Sequence, residues 1–285
     1  MAPSESKSNA DLVAPGAELT LLSDEFKFTE GPIADAAGNV YFTDQPNDRI
    51  MVWTVEGKLE TFLQPAGRSN GLFFDRKGNL IACADEKNEL WQIDVKTKKA
   101  TVLVRDYQGK LLNGPNDVWV RPDLGLYFTD PFYKRDYWKR GPQEQDVQAV
   151  YYLSFDRKTL TRVAADLVQP NGIIGSPDGK KLFVADIRGN KTYSYDIRPD
   201  GTLANKALFC ELGSDGMTID TQGNVYLTGK GVIVFDKTGK KILNIPVPEN
   251  WTANVCFGGK DLKTLFITAS KGLYAIAMQT QGVKP

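Results

Sequence analysis

Six polar residues recur at one offset along this 285-residue chain: Glu30, Asn70, Asn116, Asn171, Asp215 and Asn254. Each stands 14 or 15 residues before the end of a short β-type run, at positions 44, 85, 130, 186, 229 and 269. Brought together, two carboxylates and four amides offer only hard oxygen ligands. Two ionised acids held side by side repel or force one of them to take up a proton, and a divalent cation relieves both problems. Calcium is the natural occupant of such a cage. Magnesium demands tighter octahedral geometry and zinc usually takes nitrogen or sulfur, so zinc, magnesium and manganese stand as alternatives to calcium. Asn-Gly and Asp-Gly are also common turn pairs, and repeated segments can carry polar caps of this kind with no chemistry attached.

The chain contains no histidine. That excludes Ser-His-Asp and Cys-His catalysis, His-ligated zinc and every imidazole base. Hydrolysis, if any, must run on carboxylates, amides or a metal held by oxygen. Cys83, Cys210 and Cys256 lie far apart, form no CxxC pair and read as small core residues.

The elements that would position the six polar residues follow from the period. Runs such as Val40-Tyr41-Phe42-Thr43-Asp44, Leu126-Tyr127-Phe128-Thr129-Asp130 and Leu182-Phe183-Val184-Ala185-Asp186 are each entered through a turn signal of the Asp-x-x-Gly-Asn or Pro-Asp-Gly kind. Successive polar openings are 40, 46, 55, 44 and 39 residues apart, room for four short strands and their turns. Strand units of this period signal a β-propeller, in which no blade buries both faces alone. The expected fold is all-β: a six-bladed β-propeller over residues 16–280, preceded by a flexible leader at 1–15. The last blade runs out of chain after Ala277, and Glu18-Leu19-Thr20-Leu21-Leu22 resembles its missing outer strand, so the N-terminal strand should close the ring and remove an exposed edge. The innermost strand of each blade lines the axis. Residues at one offset in every repeat therefore converge at one height around a single channel.

Lys and Arg, 35 in all, balance 35 Asp and Glu, so no basic footprint invites nucleic acid or an anionic membrane. No run approaches the roughly 18 apolar residues of a membrane span. The polar start, MAPSESKSNA, suits a leader or the stump of a cleaved signal, which leaves a cytoplasmic or periplasmic location open. A monomer and a homodimer are equally compatible with the composition.

Four segments in order, Thr29-Glu30-Gly31-Pro32, Asn113-Gly114-Pro115-Asn116-Asp117, Pro170-Asn171-Gly172 and Ser214-Asp215-Gly216-Met217, resemble the signature segments of the SMP-30/gluconolactonase/LRE-like family. The resemblance covers the chain from about Leu19 to Ala277. It implies a metal-dependent lactone hydrolase of the gluconolactonase kind with a small-molecule lactone substrate. It also implies one divalent cation, calcium first, held by Glu30, Asn171 and Asp215, with Asn116 beside it touching the metal or the substrate. Animal members carry an Arg two residues before that Asn. Here the position is Gly114, and Asn-Gly-Pro-Asn-Asp is closer to the bacterial gluconolactonase-like branch.

In that setting the cation would act as a Lewis acid on the lactone carbonyl or the hydrolytic water. Asp215 is the choice for general base, while Asn70 and Asn116 could donate amide hydrogens to substrate. Two roles stay open to the water: deprotonation by Asp215 or activation on the cation itself. The alternatives are a calcium-dependent phosphotriesterase resembling the diisopropyl fluorophosphatases and a non-enzymatic propeller scaffold. Paraoxonase-like chemistry is disfavoured because it relies on histidine.

Two further features stand out. The longest repeat holds an insertion at 131–146 that includes Phe132-Tyr133-Lys134-Arg135-Asp136-Tyr137-Trp138-Lys139-Arg140, fit either to cover a channel mouth and read a sugar or to make a surface or dimer contact. Asp44, Asp85, Asp130 and Asp186 recur at strand ends and read as hydrogen-bond acceptors between blades.

Overall fold

A computed structural model describes residues 12–123 and 125–284. Six four-stranded antiparallel sheets build the fold, with one short two-stranded hairpin, Asp106–Tyr107 with Lys110–Leu111, beside them. Blade I comprises Thr29–Ala34, Val40–Asp44, Arg49–Trp53 and Leu59–Leu63; blade II Ser69–Phe74, Asn79–Ala84, Glu89–Asp94 and Ala100–Val104. Blade III comprises Val118–Val120, Leu126–Asp130, Ala149–Leu153 and Leu160–Ala164; blade IV Pro170–Gly175, Lys181–Asp186, Lys191–Ile197 and Leu203–Cys210. Blade V comprises Met217–Ile219, Val225–Gly229, Gly231–Phe235 and Lys241–Ile245. Blade VI takes Thr252–Gly258, Thr264–Ala269 and Gly272–Ala277 from the end of the chain and Thr20–Ser23 from its start. The innermost strands touch in a ring, the last against the first, so the fold is the expected six-bladed propeller.

Closure is antiparallel, with Thr20 opposite Ala275 and Leu21 opposite Tyr274. The tie extends further than sequence suggested. Leu12 is buried, Val13 bridges to Met278 and Ala14 N–H donates to Ala277 O at 3.0 Å, so residues 12–14, assigned to the leader, are packed on blade VI. Residues 1–11 of the leader lie outside the described residues.

Local chemistry explains the tight turns. In Asp35-Ala36-Ala37-Gly38-Asn39 the Asp35 carboxylate accepts the N–H groups of Ala37 and Asn39, each at 2.9 Å, and the Asn39 amide at 2.8 Å. Asp75 and Asp220 repeat the pattern. Such side-chain capping mimics a backbone turn and fixes the register of the hairpin.

The apolar core lies between blades rather than within them. Tyr41 and Phe62 of blade I pack with Leu72 and Phe74 of blade II, and Phe42 of blade I packs with Phe266 and Leu273 of blade VI. A blade alone would leave both faces wet, so closing the ring is what completes burial. All three cysteines are buried and free, as expected.

The strand-end acids need a correction. Asp44 accepts from Lys27 and Phe28 N–H, Asp130 from Asn113 and Gly114, and Asp186 from Val168 and Gln169. Each therefore latches the loop that enters its own blade's innermost strand. Only Asp85 reaches the neighbouring blade's insertion. Two threonines one residue before a strand end do bond across a seam: Thr43 Oγ1 donates to Asn70 O at 3.0 Å and Thr228 Oγ1 to Ala253 O at 2.8 Å. A hydroxyl can donate to the carbonyl that faces it across the seam; an ionised carboxylate cannot.

Candidate active site

The six axial residues stand at the heads of the innermost strands, and packing explains the glycine that so often follows them. A side chain at Gly31 would strike the backbone of Asn70, and one at Gly216 would strike the Asn254 amide. Gly71 N–H donates to Asn116 O at 2.8 Å, an approach a Cβ would obstruct. Each glycine thus admits the axial residue of the next blade. Blades III and VI break the pattern: Val255 follows Asn254, and Asp117 follows Asn116 with its carboxylate buried in the axis beside Asn254.

At one end of the axis lies a cavity of about 260 Å³. Glu30, Asn70, Asn116 and Asp215 line it, joined by Gln45, Tyr133, Arg135 and Trp251. Asn171 joins the group through its amide, which donates to Asp215 Oδ1 at 2.8 Å and to the Tyr133 hydroxyl at 2.9 Å. Trp251 Nε1 donates to Asp215 Oδ2 at 2.6 Å, so both carboxylate oxygens are held from opposite sides. All five residues chosen from sequence therefore fall in one place. Asn254 sits deeper, its Oδ1 accepting from Val255 N–H.

Electrostatics mark the place as strained while it holds acids alone. Burial lifts the Glu30 carboxyl well above its ordinary value, and the charges of Asp215 and Asp117 lift it further. Asp215 is pushed up to about 6 by burial, opposed by the hydrogen bonds from Trp251 and Asn171 and by the Arg135 charge. Burial drives Asp117 to about 8, with Asp215 adding to the rise.

The donor set suits a divalent cation on two counts. The Asn171 carbonyl oxygen is buried and has no hydrogen-bond partner, because the amide end of the same side chain is committed to Asp215 and Tyr133. Such an orphan costs about 1–3 kcal/mol unless something accepts its lone pairs. The carboxylates beside it carry repulsion that a cation would cancel. Among the described residues no three His, Cys, Asp or Glu side chains gather as a metal cluster; this cage depends on an amide as its third member.

Sequence reasoning missed three contributors. Trp251 and Tyr133 orient Asp215 and Asn171 from irregular segments outside the repeat register. Asp117 did carry a signal, being an acid in a glycine position. Tyr133 and Arg135 of the insertion line the cavity wall. Trp138 fills the space beside Gly114, where an added Cβ would lie 2.7 Å from Asp85 Oδ1 and 3.1 Å from the indole. Any side chain at this position would have to displace that packing.

Residues 28–271 match the SMP-30/Gluconolactonase/LRE-like region. The gluconolactonase of Zymomonas mobilis is 28% identical over 93% of this chain and 82% of its own. A solved structure described as a candidate gluconolactonase superposes with a TM-score of 0.91 at 31% identity, covering 97% of both chains. A gluconolactonase from Xanthomonas campestris superposes with a TM-score of 0.87 at 29% identity, over 93% of this chain and 91% of that one.

Proposed function

The chain belongs to the SMP-30/gluconolactonase/LRE-like family, and from that premise we propose that its axial cavity hydrolyses gluconolactone-type rings with one divalent cation, calcium first, as cofactor. Glu30, Asn171 and Asp215 would hold the cation, which when bound supplies Lewis-acid polarisation of the lactone carbonyl. The protein's own groups do the rest. Asp215, fixed by Trp251 and Asn171, takes a proton from the attacking water as its oxygen bonds to the carbonyl carbon. The ring C–O bond then breaks, the proton passes to the departing ring oxygen, and a hydroxy acid leaves.

Asn70 and Asn116 supply the substrate contacts. Both are buried at the cavity wall, and neither side-chain amide has a hydrogen-bond partner among the described residues. Free amide donors aimed at an enclosed space are suited to a carbonyl oxygen that gains charge during attack. Asn116 lies in the segment that carries the family resemblance, which favours it for the reacting carbonyl and Asn70 for a more remote group.

The observation that carries this reading is the orphaned, buried carbonyl oxygen of Asn171, whose amide end is bound to the buried Asp215. A scaffold gains nothing from such a group. The phosphotriesterase alternative has the same Lewis-acid requirement, but several of the relatives bear lactonase names. The deciding experiment measures kcat/KM for a series of γ- and δ-lactones and for phosphotriesters. The expected result is lactone turnover at least about 100-fold above that of any phosphotriester; the reverse order would replace this reading with the alternative.

A further inference from the structure

Among the described residues, Arg135 is the one basic side chain that lines the cavity. Its Nε donates to Asp85 Oδ2 at 3.0 Å, and the Tyr137 hydroxyl donates to the same oxygen at 2.5 Å. Asp85 is itself 4% exposed, and Trp138 Nε1 donates to its carbonyl at 2.8 Å. Arg68 stacks on Tyr137 at 4.5 Å and Arg140 on Trp138 at 5.3 Å, so the segment around Arg135 is clamped to blades II and III. The guanidinium lies over the Tyr133 ring at 5.2 Å and is hydrogen-bonded along one edge only. Its two terminal nitrogens have no hydrogen-bond partner among the described residues, although the side chain is only 25% exposed.

We propose that the outward edge of Arg135 is the specificity-determining contact of this site, donating a pair of hydrogen bonds to neighbouring hydroxyls of a neutral, polyhydroxylated lactone. The inference rests on the lactonase reading and narrows it. A guanidinium presents two parallel N–H groups, which match two adjacent oxygens and which a lysine cannot reproduce. Those two oxygens could belong to a vicinal diol or to a carboxylate, and the charge inventory separates the two. Glu30 and Asp215 share the wall with Arg135, Asp85 pairs with its Nε and Asp117 lies deeper in the axis, so these acids outnumber Arg135 and a divalent cation would offset two of their charges. With or without the cation there is no surplus positive charge for an anionic substituent. Neutral hydroxyls satisfy the free donors at no such cost.

Selectivity should follow from leaving those donors empty. A site built to hydrogen-bond hydroxyls rejects an analogue that lacks them, because its buried polar groups then go unpaired. The test compares D-glucono-1,5-lactone, unsubstituted δ-valerolactone and a phosphate-bearing aldonolactone, with wild type, Arg135→Met and Arg135→Lys. Binding of 1,5-anhydro-D-glucitol, a cyclic polyol that cannot be hydrolysed, is measured alongside by calorimetry. The expected wild-type preference for the polyol ring over δ-valerolactone is at least about 100-fold in kcat/KM. Arg135→Met should lower that ratio at least about 10-fold and weaken the anhydroglucitol, with Arg135→Lys recovering little of either.

Equal losses on both neutral lactones would assign Arg135 a merely structural role and overturn the proposal. A wild type that opens δ-valerolactone as well as gluconolactone would overturn it too, while leaving the lactonase reading intact. A preference for the phosphate-bearing ring, abolished in Arg135→Met, would replace the neutral class with an anionic one. Failure to open any lactone would sink both readings together.

Discussion

Asn171 donates its amide hydrogen to Asp215 Oδ1 across 2.8 Å, while the carbonyl oxygen of the same side chain is buried with no partner. One side chain thus orients an acid with one end and offers a free ligand atom with the other. Asn171→Leu keeps the volume and removes both functions. At a calcium concentration of 100 times Kd the wild type should gain about 2.7 kcal/mol of stability. The variant should gain less than about half of that, read as the shift in melting temperature between chelated and calcium-loaded protein.

Asp215→Asn separates catalysis from folding. The substitution retains the side-chain volume and one ligand oxygen but removes the charge and the base. With cation content measured in parallel and found near wild type, kcat should fall about 10²- to 10⁴-fold. Near-normal turnover in a metal-loaded Asp215→Asn protein would move the base to another group, with Glu30 the first suspect.

The pH dependence of the chelated protein follows from the raised carboxyls. Glu30, Asp117 and Asp215 all sit above their unfolded values, chiefly through burial, so the native state holds protons that the unfolded chain has released. The stability these three groups contribute is then fullest below about pH 4 and is lost as pH rises toward about 8. Cation binding needs the ionised acids, so its stabilising effect should grow over the same interval. Melting temperatures at pH 5 and pH 8, with chelator and with calcium, should show a larger calcium increment at pH 8.

Ring closure can be tested by truncation. Removing residues 1–10 should leave the melting temperature within error. Removing residues 1–23 takes away buried Leu12 and the strand Thr20–Ser23, exposing the edge of Gly272–Ala277. That should cost roughly 3 kcal/mol or more from lost apolar burial alone, visible as an earlier denaturant midpoint. A midpoint unchanged by the longer truncation would contradict the closure.

Much of this architecture was legible because the repeat imposes it. The constant step from Glu30, Asn70, Asn116, Asn171, Asp215 and Asn254 to the strand ends fixed blade number and register, and the registered residues converge as expected. What the period does not encode is the partner of each side chain. Asp44 and Thr43 are adjacent in every reading of the sequence, yet one turns back to its own blade and the other crosses to the next. Tyr133, Arg135 and Trp251 belong to segments without counterparts in the other blades, so no alignment of repeats could assign them. Arg135 reaches the cavity because Asp85, 50 residues earlier, anchors it, a pairing set by tertiary packing alone.

The central claim, that a cation held by Glu30, Asn171 and Asp215 drives lactone opening, is most directly tested by following gluconolactone hydrolysis in a pH-stat, with the spontaneous rate subtracted. Protein is assayed as prepared, after exhaustive chelation, and after stepwise return of calcium. The account predicts that turnover disappears on chelation and returns to its starting value as about one equivalent of cation is bound. Full turnover in protein shown by elemental analysis to be free of divalent metal would contradict it.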